Sequence, residues 1–170
     1  MNTRRVAFLG VLVALALALH LLESQIPLPL PWVRPGLANL MTLIALLTCG
    51  WRAGLLVTLL RILVGSLLLG GFLSPAFALS LAGGLASTLV MAVMARGVWR
   101  LWSPLAMSAT GAVAHGGAQV LLLAALLLRV GDLPRLLPWV LAPSLVFGIA
   151  TGALANIVLL RWQWYFRSVA

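Results

Sequence analysis

Six apolar runs, parted by arginine, proline or glycine, leave this 170-residue chain few ways to fold. They cover 6–22, 36–50, 54–71, 74–95, 104–128 and 136–160. With 64% hydrophobic and 8% charged residues, the chain carries more apolar surface than a water-soluble domain of this size buries, so it belongs in a bilayer. In hydrocarbon every backbone N–H and C=O needs an internal partner, and an apolar segment meets that need as a helix. The expected fold is all-α: a polytopic membrane protein of about six transmembrane helices, forming a single integral-membrane domain over 1–170. The second run is the shortest of the spans.

The net charge of +9 would suggest nucleic acid as a partner for a soluble protein. Here all the basic residues are arginine and most flank apolar runs, which makes them topology signals and headgroup anchors in a lipid bilayer and argues for no nucleic-acid partner. Placing both termini in the cytoplasm puts Arg4, Arg5, Arg52, Arg96, Arg100, Arg161 and Arg167 inside and leaves Arg34, Arg129 and Arg135 outside, in keeping with the positive-inside rule. The Arg4-Arg5 pair ahead of an apolar run imitates a cleavable export signal, but the later hydrophobic segments make a retained signal-anchor helix the simpler reading. The outer side then holds Asp132, the Gly70–Pro75 connection and the proline-rich stretch 24–35, whose four prolines forbid a continuous helix. That stretch is expected either as a lid or re-entrant cap over the bundle, or as an interfacial loop anchored by Trp32 and Arg34.

Arg61 interrupts the third run. A guanidinium stays charged, so at mid-membrane depth it needs a carboxylate, carbonyls, water or an anionic ligand to offset a cost of several kcal/mol. The chain has two acids, Glu23 and Asp132, and only Glu23 adjoins an apolar segment, at the outer end of the first helix. In the fifth run Gly111, His115 and Gln119 recur every four residues and share a helix face, and in the sixth Ser144, Gly148, Gly152 and Asn156 do the same. The fourth run pairs Ser80 with Gly84 and Gly83 with Ser87, small residues that let helices pack closely. These features are expected to converge on a substrate-binding pocket lined by Glu23, Asn39, Arg61, Ser80, His115 and Gln119, which suits a small anionic or amphipathic molecule. The plainer alternatives are an Arg61–Glu23 ion pair and interhelical hydrogen bonds that serve only packing. His20 lies near the outer boundary, with no spacing that makes it a relay. Ala14, Ala16 and Ala18 give the first helix small side chains for close approach by another helix, whether within the bundle or from a partner.

Catalysis finds little support. There is no aspartate-rich or paired-carboxylate magnesium site, no nucleophile-base-acid set and no phosphate-cradling loop. Two acids, two histidines and the single Cys49 offer neither a metal site nor a disulfide, and no cofactor is expected. Nothing resembles a nucleotide-hydrolysis motif, so active transport would draw its energy from another subunit.

Several spaced motifs, taken in order, carry a resemblance over most of the chain. Glu23-x-x-Ile26-Pro27 leads to Gly36-Leu-Ala-Asn39, then Leu60-Arg61-Ile-Leu with Gly65, Ser80-Leu-Ala-Gly-Gly84, and Ser108-Ala-x-Gly111-Ala-x-x-His115 with Gln119. This pattern resembles the bacterial membrane proteins labelled heptaprenyl diphosphate synthase component I, also called the Gx transporter family. The chain departs from that pattern at Gly116, where the family has Asn, and at Arg34-Pro35. The label implies a part in making the polyprenyl tail of quinones. The same family is similar in size and plan to the substrate-binding S components of energy-coupling factor (ECF) vitamin transporters. That likeness implies a compact six-helix bundle in the bacterial cytoplasmic membrane, with Ala14, Ala16 and Ala18 docking on a coupling subunit that works with ATPases. Three functions are open at this level: a small-molecule capture and transport protein, an accessory subunit of polyprenyl diphosphate or quinone biosynthesis, and a membrane scaffold.

Overall fold

The computed structural model describes residues 3–26, 36–96, 102–127 and 133–162. They form six helices: α1 (Thr3–Ser24), α2 (Leu37–Cys49), α3 (Trp51–Leu68), α4 (Pro75–Arg96), α5 (Pro104–Leu127) and α6 (Leu133–Arg161). There is no strand among the described residues. Residues 27–35, expected as a lid, lie outside them together with Arg100, Arg129, Asp132 and Arg167.

Helix ends follow local chemistry, and this shifts several boundaries from those expected. α3 spans 51–68 rather than 54–71 because Gly50, at φ 90°, reverses the chain immediately after α2. It ends early because Gly70 takes a left-handed conformation at φ 67°. The Gly70 N–H then donates to the Leu67 carbonyl and the Gly71 N–H to the Ser66 carbonyl, the paired bonds of a Schellman motif. α4 and α5 open on Ser-Pro: Ser74 and Ser103 accept from the N–H groups of Phe77 and Ala106 at 3.2 Å, and Pro75 and Pro104 occupy the first helical position. α1 and α6 run longer than expected, adding 3–5 and 133–135 at their starts.

Five of the helices are long and apolar enough to cross a membrane. α2 is not: its 13 residues rise about 20 Å against a hydrocarbon core of about 30 Å. It is instead the centre of the bundle, in contact with all five other helices. Ala38, Leu40, Thr42, Leu43, Ile44, Ala45, Leu46 and Cys49 on it are buried. Leucines and valines such as Leu22, Leu67, Val93, Leu121 and Val146 point outward on the surrounding helices, as contact with lipid requires.

The bundle divides along its length. At the end carrying the N-terminus, Phe8, Leu12, Leu43, Val57, Met91, Met107 and Ala155 fill a continuous apolar core. Basic and aromatic groups rim that end. Arg5 Nη2 donates to the Cys49 carbonyl at 2.5 Å, and the guanidinium of Arg96 stacks 4.2 Å from the centre of the Trp51 ring. Above the apolar core lies a layer of buried hydroxyls. Thr58 hydrogen-bonds to Thr42 at 3.1 Å and to Thr88 at 2.8 Å, linking α2, α3 and α4, while Ser108 and Thr151 join α5 to α6 at 2.9 Å. Pairing the hydroxyls with one another leaves no orphaned polar group among these five at this depth.

Glycine sets the closeness of α5 and α6. A Cβ on Gly152 would stand 2.6 Å from Leu105 Cα, and one on Gly148 would stand 3.0 Å from Ala109 Cα. Backbone cannot yield as a side chain can. Gly152→Ala is therefore expected to cost about 1–3 kcal/mol by overpacking and to lower the thermal midpoint in detergent. Gly117→Ala meets nothing within 4 Å and should leave that midpoint unchanged or raised. Size-exclusion chromatography after a heating series measures both.

Candidate functional site

Above the hydroxyl layer the bundle opens into a cavity of about 290 Å³, at the end opposite the basic rim. Every helix contributes to its wall. The six residues picked from sequence, Glu23, Asn39, Arg61, Ser80, His115 and Gln119, all line it, supplied by α1 to α5. Ile62, Leu79, Met91, Leu123 and Phe147 make much of the remaining surface apolar.

Arg61, on the second half of α3, is only 4% exposed and donates from Nη2 to Asn39 Oδ1 at 3.1 Å. Asn39 is delivered by the first turn of α2, which starts from Gly36 in the left-handed conformation at φ 72°. Glu23 is buried as well, and its Oε1 accepts a hydrogen bond from the Leu37 N–H. The last turn of α1 thus holds the first turn of α2, where unsatisfied N–H groups and the helix dipole favour a carboxylate. Sequence reading assigned Glu23 to Arg61 or to a ligand, and did not foresee this tie to α2. Both residues face the same cavity.

The Gly83-Gly84 pair on α4 makes room for two functional groups. A Cβ on Gly83 would fall 2.8 Å from His115 Nε2, and one on Gly84 would fall 2.6 Å from Ile62 Cδ1 and 3.8 Å from an Arg61 Nη. The His115 imidazole consequently packs against α4 at Gly83. Its Nδ1 is buried without a hydrogen-bond partner, as is Ser87 Oγ a turn further along α4. Ser87 is 1% exposed, packed where Gly111 leaves space on α5.

His20, expected near the outer boundary, is buried, lines the cavity, and rests on Gly65, whose Cβ would stand 2.6 Å from its ring. The signal for it was Gly65 in the motif around Arg61, because a glycine in mid-helix marks the close approach of something large. Ala16 cannot belong to a docking face with Ala14 and Ala18. It is fully buried in the apolar core, whereas Ala14 and Ala18 are exposed. Two residues along a helix is about 200° of rotation, so alternate positions face opposite ways. Ser87, Ser108, Ser144 and Thr151 also reach the cavity wall. Sequence reading gave Ser87 to helix packing and Ser144 to a shared helix face, and singled out neither Thr151 nor, outside the resemblance, Ser108; the depth of the cavity makes all four lining groups.

Among the described residues no group of three or more His, Cys, Asp or Glu side chains comes together to hold a metal. The arrangement is one for holding a molecule: a buried cation, amide and hydroxyl donors and acceptors, and an apolar wall.

Six helices with lipid-facing apolar surfaces and an internal polar cavity define a multi-pass helical membrane protein with a ligand-sized chamber. The chain belongs to the heptaprenyl diphosphate synthase component I family, whose profile matches residues 12–158. No curated protein and no solved structure matches it.

The tie between Glu23 and Leu37 has a measurable consequence. A hydrogen bond to a charged acceptor contributes about 1.5–3 kcal/mol. Glu23→Ala is expected to accelerate amide hydrogen exchange over 37–40 by tenfold or more, while Glu23→Gln, which keeps an acceptor, gives an intermediate rate. Exchange mass spectrometry in nanodiscs reads both.

Proposed function

We propose that this protein captures a small molecule within the bacterial cytoplasmic membrane and passes it across, in the manner of the substrate-binding S component of an ECF-type transporter. The observation that carries the reading is the convergence of Glu23, Asn39, Arg61, Ser80, His115 and Gln119, from five helices, on one cavity. Polar groups are costly in a membrane and concentrate where a substrate path requires them. The cavity opens at the end where the positive-inside rule puts the outer face, and the apolar core closes the other end. Such a one-ended chamber needs either an energising partner or a reorientation of the whole bundle for inward release. A coupling subunit with its ATPases is the partner of that class. Gly10, Ala14 and Ala18, exposed at four-residue spacing on α1, are the surface on which it would dock.

The family label favours a second reading, an accessory membrane subunit of heptaprenyl diphosphate or quinone biosynthesis, in which Arg61 would attract a diphosphate. Among the described residues no group of three or more His, Cys, Asp or Glu side chains comes together to hold magnesium for that reaction, so the role would be to assist a separate synthase component.

Arg61→Ala is expected to abolish retention of the co-purifying small molecule while the protein still elutes as a folded species from detergent. Native mass spectrometry of protein taken directly from membranes reports the bound mass. A vitamin-like molecule supports capture, and a prenyl diphosphate or quinone supports the second reading. If Arg61→Ala and Glu23→Ala both fail to accumulate and the doubly neutral variant is rescued, the two charges serve the architecture and capture is wrong.

A further inference from the structure

The cavity limits what it can hold in two independent ways, by charge and by volume, and we infer from them that the ligand is a short amphipathic monoanion: one carboxylate-sized head on a compact apolar body. The inference rests on the capture reading and narrows it.

Among the described residues the cavity wall carries one cation, Arg61, and one anion, Glu23. Glu23 is engaged by the first turn of α2, where the helix N-terminus offsets part of its charge. With that offset the wall keeps a partial positive charge, enough for a single negative group and not for several. A diphosphate ester carries roughly three negative charges by the chemistry of phosphate esters, and Glu23 on the same wall would oppose it. Neither a second buried arginine nor a cluster of metal-binding side chains is present among the described residues to compensate. A guanidinium has five N–H donors in a planar fork, so Arg61 serves Asn39 and a carboxylate at the same time.

Volume argues in the same direction. A water occupies about 30 Å³ in the liquid, and covalently bonded atoms somewhat less, so 290 Å³ accommodates roughly ten to fifteen non-hydrogen atoms. A heptaprenyl chain, seven five-carbon units long, needs about 700–1,000 Å³ on the same scale. Ile62, Leu79, Leu123 and Phe147 supply the apolar wall for the body, with Arg61 and Asn39 at the head.

Isothermal titration in nanodiscs tests this with 4-phenylbutyrate, its neutral amide 4-phenylbutyramide, and isopentenyl and geranyl diphosphates with magnesium present. The acid is expected to bind at least tenfold more tightly than the amide, and the diphosphates not to saturate. Arg61→Gln should remove the advantage of the acid and leave the amide within twofold. If that variant does not accumulate, Ser80→Leu, which fills the wall without touching the cation, should weaken acid and amide alike; unchanged binding there would overturn the assignment. Equal binding of acid and amide, or tighter binding of either diphosphate, also overturns it. Diphosphate binding that Arg61→Gln abolishes would leave the capture site standing and remove only the monoanion. If no probe binds and native mass spectrometry finds no bound molecule, capture falls as well.

Discussion

The costliest group to hold in this structure is the guanidinium of Arg61, which stays charged within a bundle whose outside faces lipid. At 4% exposure it has almost no water, so its partners must be built in. One of them comes from the helix least suited to crossing a membrane: α2, 13 residues long, begins after the Gly36 turn, and its first turn places Asn39 within hydrogen-bond distance of Arg61. Glu23 then secures the start of α2 from α1.

The second organising constraint is the separation of apolar from polar space along the bundle axis. One half is filled with leucine, isoleucine, methionine and alanine, the other encloses the cavity, and paired threonine and serine hydroxyls divide them. In lipid, helix association gains little from hydrophobic burial and relies on close contact and interhelical hydrogen bonds. The glycines provide the contact. Gly148 and Gly152 bring α6 against α5, Gly83 and Gly84 admit His115 and Ile62, and Gly65 admits His20. The same residues that tighten the bundle therefore position the side chains of its cavity. This is why scaffold and site cannot be assigned to different parts of the chain.

Membership of the heptaprenyl diphosphate synthase component I family and the character of the cavity pull in different directions. The label concerns a reaction on long, highly charged substrates. Among the described residues the cavity has one buried arginine, a carboxylate on the same wall and room for a small molecule. A chamber of this kind is suited to recognising a compact ligand.

Much of this was legible in the sequence. Apolar runs in a chain with two acids leave helices in lipid as the only way to satisfy the backbone, and Arg61, His115 and Gln119 had to face inward because lipid would not accept them. Those are local constraints, settled by composition and by a period of 3.6 residues. What the tertiary structure decided were relations between helices. Ala16 points into the core and Ala14 away from it, Glu23 meets the start of α2, and His20 rests on a glycine of α3. In one dimension these residues carry no mark of their neighbours, since an alanine or a histidine suits either face of an apolar helix. Only the rotation and depth at which the helices pack choose between them.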